Sequence, residues 1–495
     1  MKYPMARIEN RIFTLFCLVF LCICYLTPIL SILLSSWGKI SFLQLGTLTL
    51  PSLVLFFMVS SLAIWKRKLY FLFLIFVILA FPSPIDDIFP SIPLTTFKDK
   101  VQVVFPLFTR IDIFLILGIG LKFLSGPVKI ESFKLTLIIK LFLSLFFLVF
   151  LINSLKSEDL WGFNILLSYS FHIRYFILFI ILFQLYDIRK YQKQIILGFV
   201  LSMLFLLFEA SVNTFIKGSP RLLSGSLSLN TFANISAAIA LYIAFLISKS
   251  LISKFWGYIT ILTTLVIIIG SGTRGAVLAI VLAYFIIYLL ANHKKFALKF
   301  LKVGLGFMSI LIIYLIASTN ELLPSRYSLK EISNKIEIDL SESALPEIIK
   351  VKITPETTSI KSRLDLFDSS LNMIFENPWT GIGAGRWNRY KNKYSADESV
   401  PNVLLDTHND YLALASQYGL PLGLLFAFLI FLYPMILSRK IRNFDTGPLH
   451  WLYIINFVMA IAAISNAGFF KHQVSAVLIF SLCATLKIYT ENEAT

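Results

Sequence analysis

Asp406-Thr407-His408-Asn409-Asp410-Tyr411 closes the one long polar stretch of this chain, and its surroundings decide the fold. The stretch begins near Thr319 and contains no apolar run long enough to cross a bilayer. It holds eleven Lys/Arg against thirteen Asp/Glu, so it is nearly neutral. The whole chain carries a net charge of +17, so the remaining residues supply the entire positive excess. A neutral loop and a basic remainder belong to opposite faces of a membrane.

Composition agrees. Apolar residues make up 57% of the 495, charged ones 14%, and the mean hydropathy is +0.81. So few charges cannot cover a soluble surface of this size. Every backbone amide inside lipid needs a partner within its own segment, which makes helices the expected solution. The reading is an all-α polytopic integral membrane protein with about 12–14 transmembrane helices and one large loop on the non-cytoplasmic side. The spans expected are 12–34, 42–65, 69–84, 105–124, 135–153, 166–186, 194–215, 229–248, 255–271, 275–291, 299–318, 412–437, 449–467 and 471–488. Four regions follow: N-terminal helices over 1–215, helices over 216–318, the loop with an amphipathic helix over 319–411, and C-terminal helices with a tail over 412–495. The basic start Met1–Arg11 and the long run Ile12–Leu34 read as an uncleaved first span.

Short basic clusters punctuate the spans: Lys66-Arg67-Lys68, Arg189-Lys190, Lys249 with Lys254, Lys294-Lys295 and Arg439-Lys440. All fall on one side if the spans alternate. Both termini are then cytoplasmic, and the large loop faces the other side. This pattern explains the positive charge without nucleic acid. Cys17, Cys22, Cys24 and Cys483 all sit in apolar runs, so no disulfide framework is implied. No Cys/His group has zinc-ligand spacing. Gly381-Ile-Gly383-Ala-Gly385 follows Asn377-Pro378 rather than a strand, so it is not a dinucleotide fingerprint.

Arginines near the loop face are the next signal. Arg221 lies in Ser219-Pro220-Arg221-Leu222-Leu223-Ser224-Gly225, and Arg274 in the tight break Ser271-Gly272-Thr273-Arg274-Gly275. Arg363 opens a helix whose Leu364, Phe367, Leu371 and Ile374 form one apolar face. Arg174 stands inside the apolar run Phe171–Leu185, where a charge marks a partner or a pathway. Snorkelling to headgroups is the simple alternative for any one of them. Arginine forks match phosphate oxygens bidentately, so together they suggest a site for a pyrophosphate. His408 is the candidate general base, because histidine exchanges protons near neutrality. A neighbouring carboxylate could orient its ring. Asn409 could fix the tautomer, or could satisfy a helix-start amide.

The run His408-Asn409-Asp410-Tyr411-Leu412, with Gly419-Leu420-Pro421-Leu422-Gly423 after it, resembles the signature of the O-antigen ligase and polymerase family of membrane glycosyltransferases. The Arg274 break, Arg363 with its helix, Pro378, the Gly-x-Gly-x-Gly run, and Arg221 with Ser224-Gly225 are similar to that family's other elements. The resemblance covers about residues 215–435. One departure is that Gly423 falls four residues beyond Gly419, where the family usually has three.

The resemblance implies a GT-C-like fold in the bacterial inner membrane, with the active site on the periplasmic side. The donor would be a glycan on polyprenyl (undecaprenyl) pyrophosphate. The acceptor would be a sugar hydroxyl, on lipid A–core for a ligase of lipopolysaccharide biosynthesis or on another lipid-linked glycan for a polymerase. His408, Arg274 and Arg363 would be catalytic. Arg221, Arg174, Asn409, Asp410 and Arg386 would bind substrate. Transfer would be inverting, metal-independent and free of cofactors. A protein O-oligosaccharyltransferase and a transporter of lipid-linked glycan are the competing readings. The visible absence of internal repeats and the long loop weigh against transport.

Overall fold

A computed structural model describes residues 58–80, 91–97, 100–106, 109–125, 135–156, 170–217, 222, 229–290, 358–394, 407–441, 447–464 and 468–492. The expected spans 12–34 and 299–318, most of 42–65, and the polar residues 319–357 lie outside these. The helices are α1 (Tyr70–Leu79), α2 (Arg110–Leu124), α3 (Leu137–Leu155), α4 (Phe171–Leu185), α5 (Gln192–Lys217), α6 (Leu229–Ser248), α7 (Lys254–Ser271) and α8 (Arg274–Leu290). The loop contributes α9 (Thr358–Glu376) and α10 (Trp387–Tyr394). The C-terminal part forms α11 (Asp410–Tyr418), α12 (Leu420–Ala427), α13 (Tyr433–Lys440), α14 (Tyr453–Ala462) and α15 (His472–Asn492).

Among the described residues, six helices are long and apolar enough to cross a membrane. The chain is an all-α polytopic membrane protein. One small departure is an antiparallel hairpin, β1 (Ser91–Phe97) and β2 (Lys100–Pro106), with Phe97 opposite Lys100. It corrects the start of the expected span 105–124. The β-branched run Val101, Val103, Val104 pairs as a strand. The helix begins only at Arg110, where Thr109 and Asp112 form a capping box.

Two helices make the centre. α6 and α15 are buried over 94% of their apolar windows. α6 packs against α7, α8 and α14, and α15 against α1, α4, α13 and α14. Residues such as Ala233, Ala237, Ala238 and Ala240 on α6 let neighbouring backbones approach closely. Pro434 on α13 has no N–H for the carbonyl of Ile430, and the preceding turn, Phe428–Leu432, widens to a π-helix. Asn456 on α14 repairs the ladder by donating to Ile430 O at 2.6 Å and to Leu478 O at 3.0 Å.

The contacts define two ends of the bundle. At one end Arg189 pairs with Glu491 at 2.9 Å, Tyr186 donates to Gly118 O, Lys249 lies over Trp451, and Lys440 lies over Tyr489. The described basic clusters gather there, as the charge pattern requires. At the other end, the loop face, Asn153 at the end of α3 donates to Thr380 O at 3.0 Å, and His172 at the start of α4 bonds Tyr418 at 2.9 Å.

The expected single span 412–437 is broken. Gly419 adopts φ 83° and ψ 158°, a region open essentially to glycine alone, and Pro421 then starts a new helix. α11 has nine residues, so at 1.5 Å per residue it is roughly 13 Å long, too short to span. It lies at the loop face, bonded to Ala463 at its start and to His172 near its end. The spanning segment is Leu420–Lys440. Gly423 permits the sharp return, because a Cβ there would sit 2.6 Å from Ala415 Cα.

Candidate active site

His408 sits in a turn held from both sides. Thr407 is buried; its hydroxyl donates to Asn409 O at 2.6 Å and accepts from Asn409 N at 3.1 Å. His408 itself has φ 51°, the left-handed region, where histidine is one of the more tolerated side chains. Such a conformation costs on the order of 1–3 kcal/mol and persists only where the surroundings impose it.

The surroundings are visible. Asn409 caps α11, its side-chain oxygen accepting from Leu412 N at 3.0 Å, and its amide donates to Ile464 O at 3.0 Å. Asp410 N donates to Ala463 O at 3.0 Å. The buried Asp410 carboxylate accepts from Gly468 N at 3.1 Å and Phe469 N at 3.0 Å. Tyr411 donates to Ala460 O at 2.8 Å. Three consecutive residues therefore fix the His408 turn to the end of α14 and to the connection between α14 and α15. Of the two roles open to Asn409, the structure has it capping the helix. Asp406 lies outside the described residues.

The glycine run carries the loop onto the other end of α11. Gly381, Gly383 and Gly385 have φ of 63°, 97° and 77°. Their segment pairs with the end of α11: Ile382 N donates to Ser416 O at 3.0 Å, Gly383 N to Gln417 O at 3.1 Å, and Gly385 N to the Gln417 side chain at 2.7 Å. Leu420 N returns a bond to Pro378 O at 2.7 Å. A Cβ on Gly381 would meet Gln417 O at 2.5 Å. Arg386 follows directly, half-buried, at the start of α10. α9 and α10 share a small core of Leu366, Met373, Ile382, Trp387 and Tyr394. Tyr394 donates to Glu376 at 2.7 Å; burial and this bond hold its phenol pKa above the ordinary value, so it stays a donor.

The arginines divide. Arg274 is the first residue of α8, after a left-handed Gly272 (φ 70°) that ends α7. α8 packs on α14, whose far end receives Asn409 and Asp410. Arg363 lies in α9, which packs on α11. The side chains of Arg274 and Arg363 lie outside the described ones. Arg221 is also outside, but its neighbour Leu222 donates to Gly270 O at 2.8 Å, four residues before Arg274. Arg174 stands apart. It is fully buried on α4 and pairs with Asp112 of α2, Nε to Oδ1 at 3.5 Å.

Sequence reading passed over several of these residues. Asp112 accepts from the Thr109 hydroxyl at 3.0 Å, Thr109 bonds Tyr175 at 2.8 Å, and Tyr175 bonds His472 at 2.9 Å. The signal was a lone acid and a lone base near the starts of two apolar runs. Gln417 and Asn153 gave no signal beyond being polar. The apolar face expected on α9 is only partly buried, and its Leu364 lies outside the described side chains. Leu366, Ser370, Met373 and Ile374 are buried, whereas Leu371 is exposed and Phe367 half-buried. The helix is apolar on two sides, and periodicity alone does not choose between them.

Residues 259–427 match the family model described as O-Antigen ligase. The match begins in α7 and runs through α12, so it includes Arg274, Arg363, the glycine run and His408. A protein of Haemophilus influenzae, described as uncharacterized, is 24% identical over 262 residues. That similarity covers 52% of this chain and 61% of the relative.

Proposed function

We propose, from the premise that residues 259–427 belong to the O-antigen ligase family, that this chain transfers a glycan from a polyprenyl pyrophosphate to a sugar hydroxyl on the periplasmic face. The observation that carries the reading is the His408 turn, strained and fixed at the loop face, with the helices bearing Arg274 and Arg363 packed onto the elements that hold it.

In the proposed reaction the acceptor oxygen attacks the anomeric carbon opposite the pyrophosphate. The new carbon–oxygen bond forms as the old one breaks, and the configuration inverts. The acceptor proton passes to the His408 imidazole. The leaving pyrophosphate keeps the bonding pair, and Arg274, Arg363 and Arg221 neutralise its charge. Arg386, after the glycine run at the far end of α11, and Asn409, in the turn itself, would contact substrate. Asp410 contributes by holding the turn, since its carboxylate already accepts two backbone amides. Arg174 acts through its ion pair with Asp112 in the interior.

The acceptor proposed is lipid A–core, which makes the chain a ligase. The lipopolysaccharide ladder of a deletion strain tests this. Loss of all O-antigen from the core is the ligase result. A single-repeat band would make it a polymerase, and an unchanged ladder would overturn both.

A further inference from the structure

α9 has two apolar sides, and only one is used within the loop. At about 100° per residue, Leu371 and Phe375 stand opposite Leu366 and Met373, which fill the small core with Trp387 and Tyr394. Phe375 is 77% exposed and Trp379, just beyond the helix, is 74% exposed. Asp368, also exposed, bounds the stripe on its N-terminal side. Large apolar patches on a protein surface mark a partner.

We infer that this stripe lies in the headgroup–acyl boundary of the outer leaflet, so that α9 is an interfacial helix resting on the membrane. The occupant is the bilayer, because the stripe continues surfaces that already face it. Thr380, next to Trp379, is bonded by Asn153 and by Lys156 Nζ at 3.2 Å, both on or just after the last turn of α3. The exposed Leu148, Leu151 and Leu155 of α3 lead up to that point, and the exposed Leu420 and Leu424 of α12 lie beside it. Pro378 O and Leu420 N join the two directly. Trp379 with Lys156 is the pairing of aromatic ring and snorkelling cation expected at a membrane boundary. The helix that carries Arg363 would thereby be held at headgroup depth, independently of what the site transfers.

Spin labels test the depth in full-length protein reconstituted in liposomes, with the four native cysteines replaced by alanine. Labels at Leu371→Cys, Phe375→Cys and Trp379→Cys should relax more with oxygen than with an aqueous nickel chelate. A label at Lys393→Cys should do the reverse. Equal access to the nickel chelate at the stripe would place it in water. Exclusion of both agents would place it under protein, a second copy included. Either result overturns the inference. A second measurement avoids the cysteine changes. Emission lost in Trp379→Phe should be quenched by lipids brominated near the headgroup, and no quenching would overturn the same point. Neither readout depends on glycan transfer.

Discussion

At the residue scale, the arginines separate into two physical kinds. Arg174 is buried with Asp112, so its charge is compensated inside the bundle, and removing one partner would strand the other. Arg274 and Arg363 begin or line helices at the loop face. If they hold a pyrophosphate, geometry matters as much as charge. Arg274→Lys and Arg363→Lys should each lose nearly as much transfer as the alanine variants, because lysine keeps the charge but not the fork. Full activity in both lysine variants at normal expression would reduce them to headgroup anchors. The sequence exposed these residues through their setting in scarce positive charge and helix breaks. It hid the Asp112 partner, because 62 residues separate the pair and only the fold brings them together.

At the element scale, the functional unit is the joint between loop and bundle. Gly419 breaks the chain into α11 and α12, and the glycine run pairs with the end of α11. A Cβ on Gly419 would sit 2.3 Å from Trp379 O, so Gly419→Ala brings a clash as well as about 1–3 kcal/mol of backbone strain. The purified variant should melt at lower temperature and exchange amides faster across 381–386. Gly120→Ala, with nothing within 4 Å of its Cβ, is the control and should change neither. A Gly419→Ala protein with unchanged melting and exchange would show that the joint is dispensable. Most helices were legible from apolar runs, and the α7–α8 break from its glycine. The α11–α12 break was not, since average hydropathy runs straight through Gly419. The hairpin 91–106 escaped for a different reason: most of it lay between two expected spans, and only Phe105 and Pro106 joined the run that becomes α2.

At the scale of the whole molecule, the basic clusters and the loop occupy opposite ends of one bundle built around α6 and α15. The proposed orientation puts the loop end in the periplasm. A cysteine at the exposed Lys393 should react with an impermeant thiol reagent in intact spheroplasts, and one at the exposed Lys190 only after lysis. The reverse pattern would invert the molecule. Glycan transfer at the His408 turn is the claim on which the rest depends. Purified protein in liposomes, given lipid-linked glycan, acceptor and excess chelator, tests it most directly. The expected result is glycan joined to acceptor with polyprenyl pyrophosphate released. His408→Ala should slow this by about 10²–10⁴ while the protein still inserts and binds donor. Movement of the lipid-linked glycan between leaflets without transfer, or transfer at full rate by His408→Ala, would contradict it.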